Sequence, residues 1–247
     1  MKKYLLLLLC TASTIVVAQD NIETDRPDQT ETVSIVPKGR FQAESGFAHT
    51  KTESSSSGTT LPETLWKYGI NDIVELRLGS EMEYLKYADS SDYGLLPVKI
   101  GLKINLWRGK GIIPETSLLA NIALPKMASK KLQATYVAPE IRLLFENDIS
   151  DAIQVGYNLG AEWDGQSAEP TFIYTLSADF VLTKRLESFI EGYGYLPQLG
   201  RADHWIDGGF KYLITKDIQV DISGGYELTS HQRYHGYFES LGFSFRI

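Results

Sequence analysis

The densest group of chemically active side chains lies near the start of the chain, in the segment ETDRPDQTET at residues 23–32. Carboxylates at this density could bind a metal ion, act as a general acid–base pair, or form ion pairs that fasten the segment to the rest of the protein. The segment contains four carboxylates around one guanidinium and one proline, namely Glu23, Asp25, Asp28 and Glu31 around Arg26 and Pro27.

Two of these roles are disfavoured by the local sequence. A calcium-binding loop alternates acidic and neutral residues and turns at a central glycine, whereas no glycine lies between Asp20 and Pro37. A catalytic carboxylate pair requires a shaped pocket, which a short segment without the pattern of a helix or strand does not provide. The sequence therefore predicts no catalytic residue, no cofactor and no metal ion, and the protein is not expected to be an enzyme.

The first residues predict the compartment. Two lysines precede an apolar run that is too short to span a bilayer, and Val16 and Ala18 fit the small-residue positions of a signal-peptidase site. Residues 1–18 are therefore predicted to be a signal peptide. Cys10 is the only cysteine, so no disulfide is expected in the exported chain. A lipid anchor on Cys10 is the alternative, although leucines rather than small residues precede it.

Composition narrows the class of partners. The 247 residues include 31 acidic and 24 basic side chains, which gives a formal net charge of −7. Nucleic-acid-binding domains present a basic face, so no nucleic-acid partner is expected. No apolar stretch after the signal peptide is long enough for a transmembrane helix.

Downstream of residue 38, apolar and polar residues alternate over long runs. One example is DIVELRLGSEMEYL at residues 72–85. Successive side chains of a β-strand point to opposite faces, so each run predicts a strand with one apolar and one polar face. The predicted strands span residues 39–48, 61–69, 72–84, 95–107, 112–124, 135–146, 152–163, 171–182, 186–196, 204–214, 218–228 and 235–247.

Three features indicate that these strands cross a membrane. The runs reach about 10–13 residues, longer than typical soluble strands and close to the length of a tilted membrane strand. Short connections alternate with long ones. Aromatic residues, among them Tyr193, Tyr195 and Trp205, fall at strand ends, where aromatic girdles lie. The predicted fold class is all-β: a closed antiparallel transmembrane β-barrel of the outer membrane, with about 12 strands, short periplasmic turns and longer extracellular loops.

The C-terminus supports this prediction. SLGFSFRI at residues 240–247 places Leu241, Phe243, Phe245 and Ile247 on one face. The pattern resembles the C-terminal signal that the barrel-insertion machinery of the outer membrane reads. The expected partners are therefore this machinery, through the C-terminal strand, and outer-membrane lipid.

The opening of the predicted mature chain carries a family resemblance. TDRPDQTE at residues 24–31 is followed by VPKGRFQAESGF at residues 36–47. Together they resemble the start of a family of outer-membrane barrels labelled "putative MetA-pathway of phenol degradation", or simply transporter, and the strand layout of the remaining chain is compatible with that family. The resemblance implies a barrel that conducts a small-molecule solute, and it extends the expectation to hydrophobic or aromatic compounds.

These observations divide the chain into three parts. We expect a signal peptide at residues 1–18, an N-terminal periplasmic or plug segment at 19–38, and the barrel at 39–247. An even number of strands returns both termini to the periplasmic side of the outer membrane of a Gram-negative bacterium.

The acidic segment is then expected to lie at the periplasmic mouth. Asp25, Arg26, Pro27 and Asp28 are predicted to form a plug or latch inside the barrel; a solvated acidic tail is the alternative. Pro27 restricts Arg26 to extended conformations. Arg26 could pair with Asp25 and Asp28, or with a wall carboxylate such as Glu75 or Glu140.

The polar strand faces are expected to line the lumen. A barrel of about 12 strands is wider than one that side chains fill, so a channel or transporter for small solutes is the favoured function. The alternatives are a structural or adhesive barrel without transport and, less favoured, a lipid-modifying hydrolase that uses one of the four histidines, His49, His204, His231 or His235. The candidate lumen-lining residues are Glu44, Glu75, Arg77, Lys99, Lys103, Glu140 and Arg142.

Overall fold

The structure is a computed structural model, which describes residues 21–53, 56–229 and 235–247. The predicted signal peptide and His231 lie outside these ranges. Within them, no helix is long and apolar enough to cross a membrane.

The described residues form thirteen strands and two short 3-10 helices, Pro125–Met127 and Lys130–Leu132. The strands are β1 (Phe41–Glu53), β2 (Ser56–Asn71), β3 (Val74–Lys86), β4 (Ser91–Leu95), β5 (Val98–Trp107), β6 (Glu115–Leu124), β7 (Ala138–Ser150), β8 (Ile153–Glu162), β9 (Thr171–Val181), β10 (Leu186–Pro197), β11 (Asp203–Thr215), β12 (Ile218–Glu227) and β13 (Tyr237–Arg246).

These strands close into an antiparallel barrel with twelve positions around the wall. Apart from β4 and β5, each strand pairs with its sequence neighbours, and β1 pairs with both β2 and β13, which closes the sheet. Strands β4 and β5 both pair with β3 and share one position, because Leu96 and Pro97 interrupt them. Proline has no N–H to donate to a ladder, which explains the break. Closure pairs both edges of every strand except β4, whose second edge faces the 3-10 helix Lys130–Leu132.

The two faces of the wall are reversed relative to a soluble barrel. Outward-facing side chains such as Leu76, Ile100 and Leu159 are apolar and exposed. Inward-facing side chains such as Glu75 and Lys103 are charged and fully buried. A wall with this polarity suits a surrounding bilayer and a polar lumen.

Two ends of the barrel can be distinguished by their connections. One end carries the tight turns at 72–73, 151–152 and 216–217, and we call it the turn end. The other end carries longer connections such as 125–137 and 163–170, and we call it the loop end.

Some predicted strand boundaries at the loop end are wrong. Residues 49–60, expected to be a long loop, mostly continue β1 and β2, and the connection expected at 85–94 contains the end of β3 and most of β4. At the turn end, β7 runs to Ser150 rather than ending at residue 146. In residues 49–60 strand pairing continues where both faces are polar, so the alternation that reveals a strand disappears. Strand β4 keeps Tyr93 and Leu95 on one face, but it has only five residues and is separated from β5 by Leu96 and Pro97, so its alternating stretch is short.

The prediction that aromatic residues at strand ends form a lipid-facing girdle is wrong for three residues of β10 and β11. Tyr193 and Trp205 face the lumen, where they are 5% and 9% exposed, and their rings stack at 6.2 Å. Tyr195 contacts Tyr193 edge-on at 6.0 Å. These three residues therefore do not form a lipid-facing girdle; they fill the loop-end lumen beside β10 and β11.

Residues 21–38, which we call the luminal segment, lie inside the barrel. The segment begins at the turn end, where Ile22 N donates to Lys216 O at 2.7 Å. In its middle, Val33 packs against Leu119 and Leu144 in the one apolar cluster of buried residues among those described. Ile22 and Val36 of the segment are also buried. Hydrogen bonds and ion pairs to the wall are nevertheless more numerous than these apolar contacts, and they are described below.

Candidate functional site in the barrel lumen

Asp25 is the main attachment point of the luminal segment. Its Oδ2 accepts hydrogen bonds from Lys67 Nζ at 2.8 Å and Arg77 Nη1 at 2.9 Å, and its Oδ1 accepts one from Lys103 Nζ at 2.7 Å. These cations come from β2, β3 and β5, which lie side by side in the wall. Burial alone would raise the pKa of Asp25, but Lys103, Lys67 and Arg77 hold it well below its usual value.

Further carboxylates balance the three cations. Glu44 lies 2.5 Å from Lys67 Nζ, and Glu75 lies 3.2 Å from Arg77 Nη1. Glu31, in the luminal segment, accepts two hydrogen bonds from Arg77 Nη2 at 2.8 and 2.9 Å. The resulting network contains four carboxylates and three cations, almost all buried. Buried ion pairs of this kind depend on every member, because removing one leaves its partner desolvated and unpaired.

Wall side chains also replace the missing backbone partners of the segment. Glu44 Oε2 accepts from the backbone N–H groups of Asp25 and Arg26 at 2.9 and 3.1 Å, and Glu75 Oε2 accepts from Val36 N at 2.8 Å. Asn158 both accepts from Glu31 N at 2.8 Å and donates to Glu31 O at 3.0 Å. An extended segment inside a barrel needs such partners, since its buried N–H groups would otherwise be unsatisfied.

Arg26 binds neither of the partner sets expected from the sequence. Its Nη2 donates to Asp221 Oδ1 at 3.2 Å and Ser240 Oγ at 2.8 Å, on β12 and β13. Asp25 is already saturated by three cations, and Glu140 is held by Arg142 at 2.6 Å. The guanidinium therefore lies beside this network, against β1, β12 and β13, and its Nη1 is 3.9 Å from Glu63 on β2.

Two glycines make room for this guanidinium. A Cβ placed at Gly46 or Gly242 would overlap the Arg26 side chain. Because the two residues are register partners on β1 and β13, they form a flat patch on the wall against which Arg26 lies.

The other side of the segment is anchored more weakly. Asp28 lies 3.3 Å from Lys211 Nζ, which also binds Asp179 at 2.9 Å. Burial raises the pKa of Asp28 well above its usual value; Lys211 offsets this in part, and the nearby Asp179 and Glu191 add to it. This side of the lumen thus holds more carboxylates than one ammonium can balance.

Glu191 adds hydrogen bonds on this side. Its Oε2 accepts from Gln29 N at 2.8 Å and its Oε1 from Thr30 Oγ1 at 2.5 Å. Glu191, Asp207 and Lys211 were not among the residues selected from the sequence. Their period-two spacing marks the inward face, but the aromatic residues Phe189, Tyr193 and Trp205 share that face and obscure its polar character.

The luminal segment separates cavities at the two ends of the barrel. On its loop-end side lies a cavity of about 210 Å³, between the segment and the wall residues Lys99, Glu140 and Arg142. On its turn-end side lie cavities of about 300 and 640 Å³, which share Asn21 and Glu23. None of the described residues lines both the loop-end cavity and a turn-end one, and the Asp25 network lies between them.

All seven wall residues selected from the sequence have side chains in the lumen, but in two groups. Glu44, Glu75, Arg77 and Lys103 contact the luminal segment directly. Lys99, Glu140 and Arg142 line the loop-end cavity. The groups overlap, because Glu44 and Arg77 also line this cavity and Arg142 Nη1 donates to Gln29 O of the segment at 3.4 Å.

Each described histidine has a hydrogen-bond partner at Nδ1. His49 Nδ1 lies 3.0 Å from Thr59 Oγ1, and His204 Nδ1 lies 2.7 Å from the Tyr174 hydroxyl. His235 Nδ1 lies 2.9 Å from the backbone oxygen of Glu227. In the part of the chain that the structure describes, no three or more His, Cys, Asp or Glu side chains are grouped to hold a metal ion.

Comparison with known proteins places this architecture among outer-membrane barrels. No curated protein matches the sequence. The structure is similar to the COG4313 outer membrane channel from Pseudomonas putida F1, with a TM-score of 0.69 and 11% identity over 91% of this chain and 100% of the other.

Two further solved structures are similar. The KdgM porin in complex with disordered oligogalacturonate has a TM-score of 0.56 at 10% identity, over 82% of this chain and 98% of that one. The CymD monoaromatic hydrocarbon channel has a TM-score of 0.51 at 10% identity, over 85% and 88%. At these identities the similarity concerns the fold. The sequence itself matches a protein family from residue 24 to residue 247, and the chain belongs to that family, which is described as "Putative MetA-pathway of phenol degradation".

Proposed function

We propose that this protein is an outer-membrane channel for small solutes and that its luminal segment is the gate. The observation that carries the proposal is the placement of polar cavities on both sides of a segment that is fastened to the wall mainly by ion pairs. A segment packed by a continuous hydrophobic core would be a permanent filling, whereas polar contacts can exchange with water when the segment moves.

The family and the fold neighbours support the class of solute. The family description names phenol degradation, and one structure of the same fold is a monoaromatic hydrocarbon channel. We assign this chain the passage of small hydrophobic or aromatic compounds. No catalytic role is assigned, since the described histidines form no pair with a nucleophile and an acid.

A permeation assay tests the channel function. Purified protein in liposomes should admit benzyl alcohol faster than empty liposomes admit it, and should pass a small potassium chloride current in planar bilayers. The matched control is a refolded eight-stranded barrel whose lumen is filled. Equal permeability of the two proteoliposomes, together with no current, would assign the protein to the structural or adhesive class.

The proposed location includes an orientation. Residues 1–18 are assigned to a signal peptide, residues 19–38 to the luminal segment and its connection, and residues 39–247 to the barrel. The turn end, with both termini, is assigned to the periplasm. The short turns and long loops support this orientation.

Cysteine labelling tests the orientation, because Cys10 is the only cysteine of the chain and lies in the proposed signal peptide. Asp89→Cys lies in an exposed loop-end connection, and Lys184→Cys lies in an exposed turn-end connection. On intact cells, a membrane-impermeant maleimide should label the first variant and leave the second unlabelled until the outer membrane is broken. The reverse labelling pattern would refute the orientation.

A further inference from the structure

A second cavity adjoins the loop-end cavity and differs from it in polarity. It also measures about 210 Å³, and the two cavities share Glu63, Gly79 and Lys99. Apolar side chains line much of the second cavity, including Leu96, Pro97, Ala134 and Trp163. A charged cavity and a largely apolar one therefore meet at Lys99.

Lys99 differs from the other lysines of the inner wall. Lys67, Lys103 and Lys211 each bind a carboxylate at 3.3 Å or less. Lys99 is exposed to the lumen, and among the described residues its ammonium has no hydrogen bond and no ion pair within 4.0 Å. Its cross-strand neighbour is Gly79, which has no side chain to pack against Lys99.

Carboxylates surround Lys99 at longer range. Glu140, Glu63, Glu162 and Glu81 all interact with it electrostatically. Arg142 neutralises Glu140, from which its Nε lies 2.6 Å away. The junction thus offers N–H donors from one ammonium and acceptor oxygens from several carboxylates, without an excess of positive charge.

We infer that the two cavities form one binding site for a neutral, single-ring molecule that bears a hydroxyl group. The hydroxyl accepts a hydrogen bond from Lys99 Nζ and donates one to a neighbouring carboxylate, while the ring packs against Leu96, Pro97 and Trp163. This inference rests on the proposed channel function and names the solute class of that channel.

The charged groups around the two cavities favour a neutral molecule over an organic ion. An organic anion would gain one contact with Lys99 but would face the surrounding carboxylates. An organic cation would be attracted by those carboxylates but would meet the Lys99 ammonium. A hydroxyl is both donor and acceptor, so it satisfies both kinds of group without burying an unpaired charge.

The volume of the second cavity favours a molecule with a single ring. An apolar cavity of about 150 Å³ is sufficient to hold benzene in a protein interior. The apolar cavity here, about 210 Å³, leaves room for one ring and a short substituent. A two-ring compound would have to extend past Lys99 into the charged cavity.

Three probes that share one ring test the inference: benzyl alcohol, benzylamine and benzoate, which are neutral, cationic and anionic at pH 7. Their affinities for the detergent-solubilised protein can be measured by ligand-observed NMR, which does not require flux. Benzyl alcohol should bind most tightly and benzoate most weakly. Equal affinities, or a preference for benzoate, would overturn the inference.

Variants of Lys99 sharpen the test. Lys99→Met should weaken benzyl alcohol binding about tenfold, as expected for the loss of a charge-assisted hydrogen bond, and should make benzylamine the tightest of the three. Lys99→Arg keeps the donors and should keep the original order. Lys110→Met, at an exposed turn-end lysine, is the matched control and should change nothing. An unchanged order in Lys99→Met, with that variant still showing the gel shift of a folded barrel on heating, would refute the role of Lys99.

Binding and flux separate this inference from the channel proposal. If the affinity order is observed while the proteoliposomes are impermeable, the binding site is supported and the channel function is refuted. If the proteoliposomes are permeable and the three probes bind with equal affinity, the channel function is supported and the binding site is refuted.

Discussion

Deleting residues 20–32 should give a protein that still inserts as a barrel but conducts several-fold more current than the parent. The deletion removes Asp25, Arg26, Asp28 and Glu31, and with them the partition between the loop-end and turn-end cavities. All twelve wall positions and the C-terminal strand remain, so insertion should be preserved. Single-channel conductance in planar bilayers is the measurement.

The charged wall that the deletion exposes explains why the increase in conductance should be large. Without the segment, Lys67, Arg77 and Lys103 lose their shared Asp25 partner, and their charges require hydration. Water that enters to solvate them fills the space that the segment occupied. The continuous aqueous path then carries ions.

Arg26→Ala provides a graded comparison. This variant loses the contacts to Asp221 and Ser240 but keeps the Asp25 network, so its conductance should rise less than that of the deletion. Equal conductance of the deletion and the parent, with both proteins showing the gel shift of a folded barrel on heating, would mean that the segment does not limit the pore.

The second large effect is expected from Asp25→Asn. The amide keeps the shape of the side chain but removes the negative charge that three buried cations share. Breaking one member of a buried ion network costs about 3–5 kcal/mol, so the segment should detach from β2, β3 and β5. Open probability in bilayers should rise, and the denaturant midpoint of the folded barrel should fall.

Asp28→Asn is the matched control in the same segment. The pKa of Asp28 is raised in the folded protein, so the protonated acid is the form that the fold favours, and asparagine resembles that form. A raised pKa means that the contribution of Asp28 to stability is present at low pH and is lost as pH rises through the folded-state value. The variant should therefore behave like the parent at acidic pH and hold its segment better at alkaline pH.

The contribution of Asp25 to stability should depend on pH in the opposite direction. The pKa of Asp25 is lower in the folded protein than in the unfolded chain. Its contribution to stability is therefore present at pH values above the unfolded-state pKa, and it is lost only as the pH falls through the lower folded-state pKa. Conductance of the parent should thus stay low on mild acidification. If Asp25→Asn and Asp28→Asn raised conductance equally at neutral pH, the assignment of Asp25 as the main anchor would be wrong.

The sequence by itself determined the wall of this protein. Alternation is a local property, since neighbouring side chains of a strand point to opposite faces whatever the rest of the chain does. It was therefore sufficient to predict an all-β barrel with twelve positions in the wall and a polar lumen, including the luminal position of Glu75, Lys103 and Glu140. It failed at Ser56–Thr60, where both strand faces are polar and no alternation is present, and at Ser91–Leu95, where the alternating stretch is only five residues long.

Only the tertiary structure decided what the acidic segment contacts. The sequence drew attention to Arg26, whereas Asp25 is the centre of the network, because three cations on β2, β3 and β5 converge on it. Residues 25, 67, 77 and 103 are far apart in the chain, and they meet through strand register and the closure of β1 on β13. Those are global properties of a closed sheet, so no short stretch of sequence contains them. The same holds for Lys99, whose neighbours Gly79 across the ladder and Trp163 in the adjoining cavity come from distant parts of the chain.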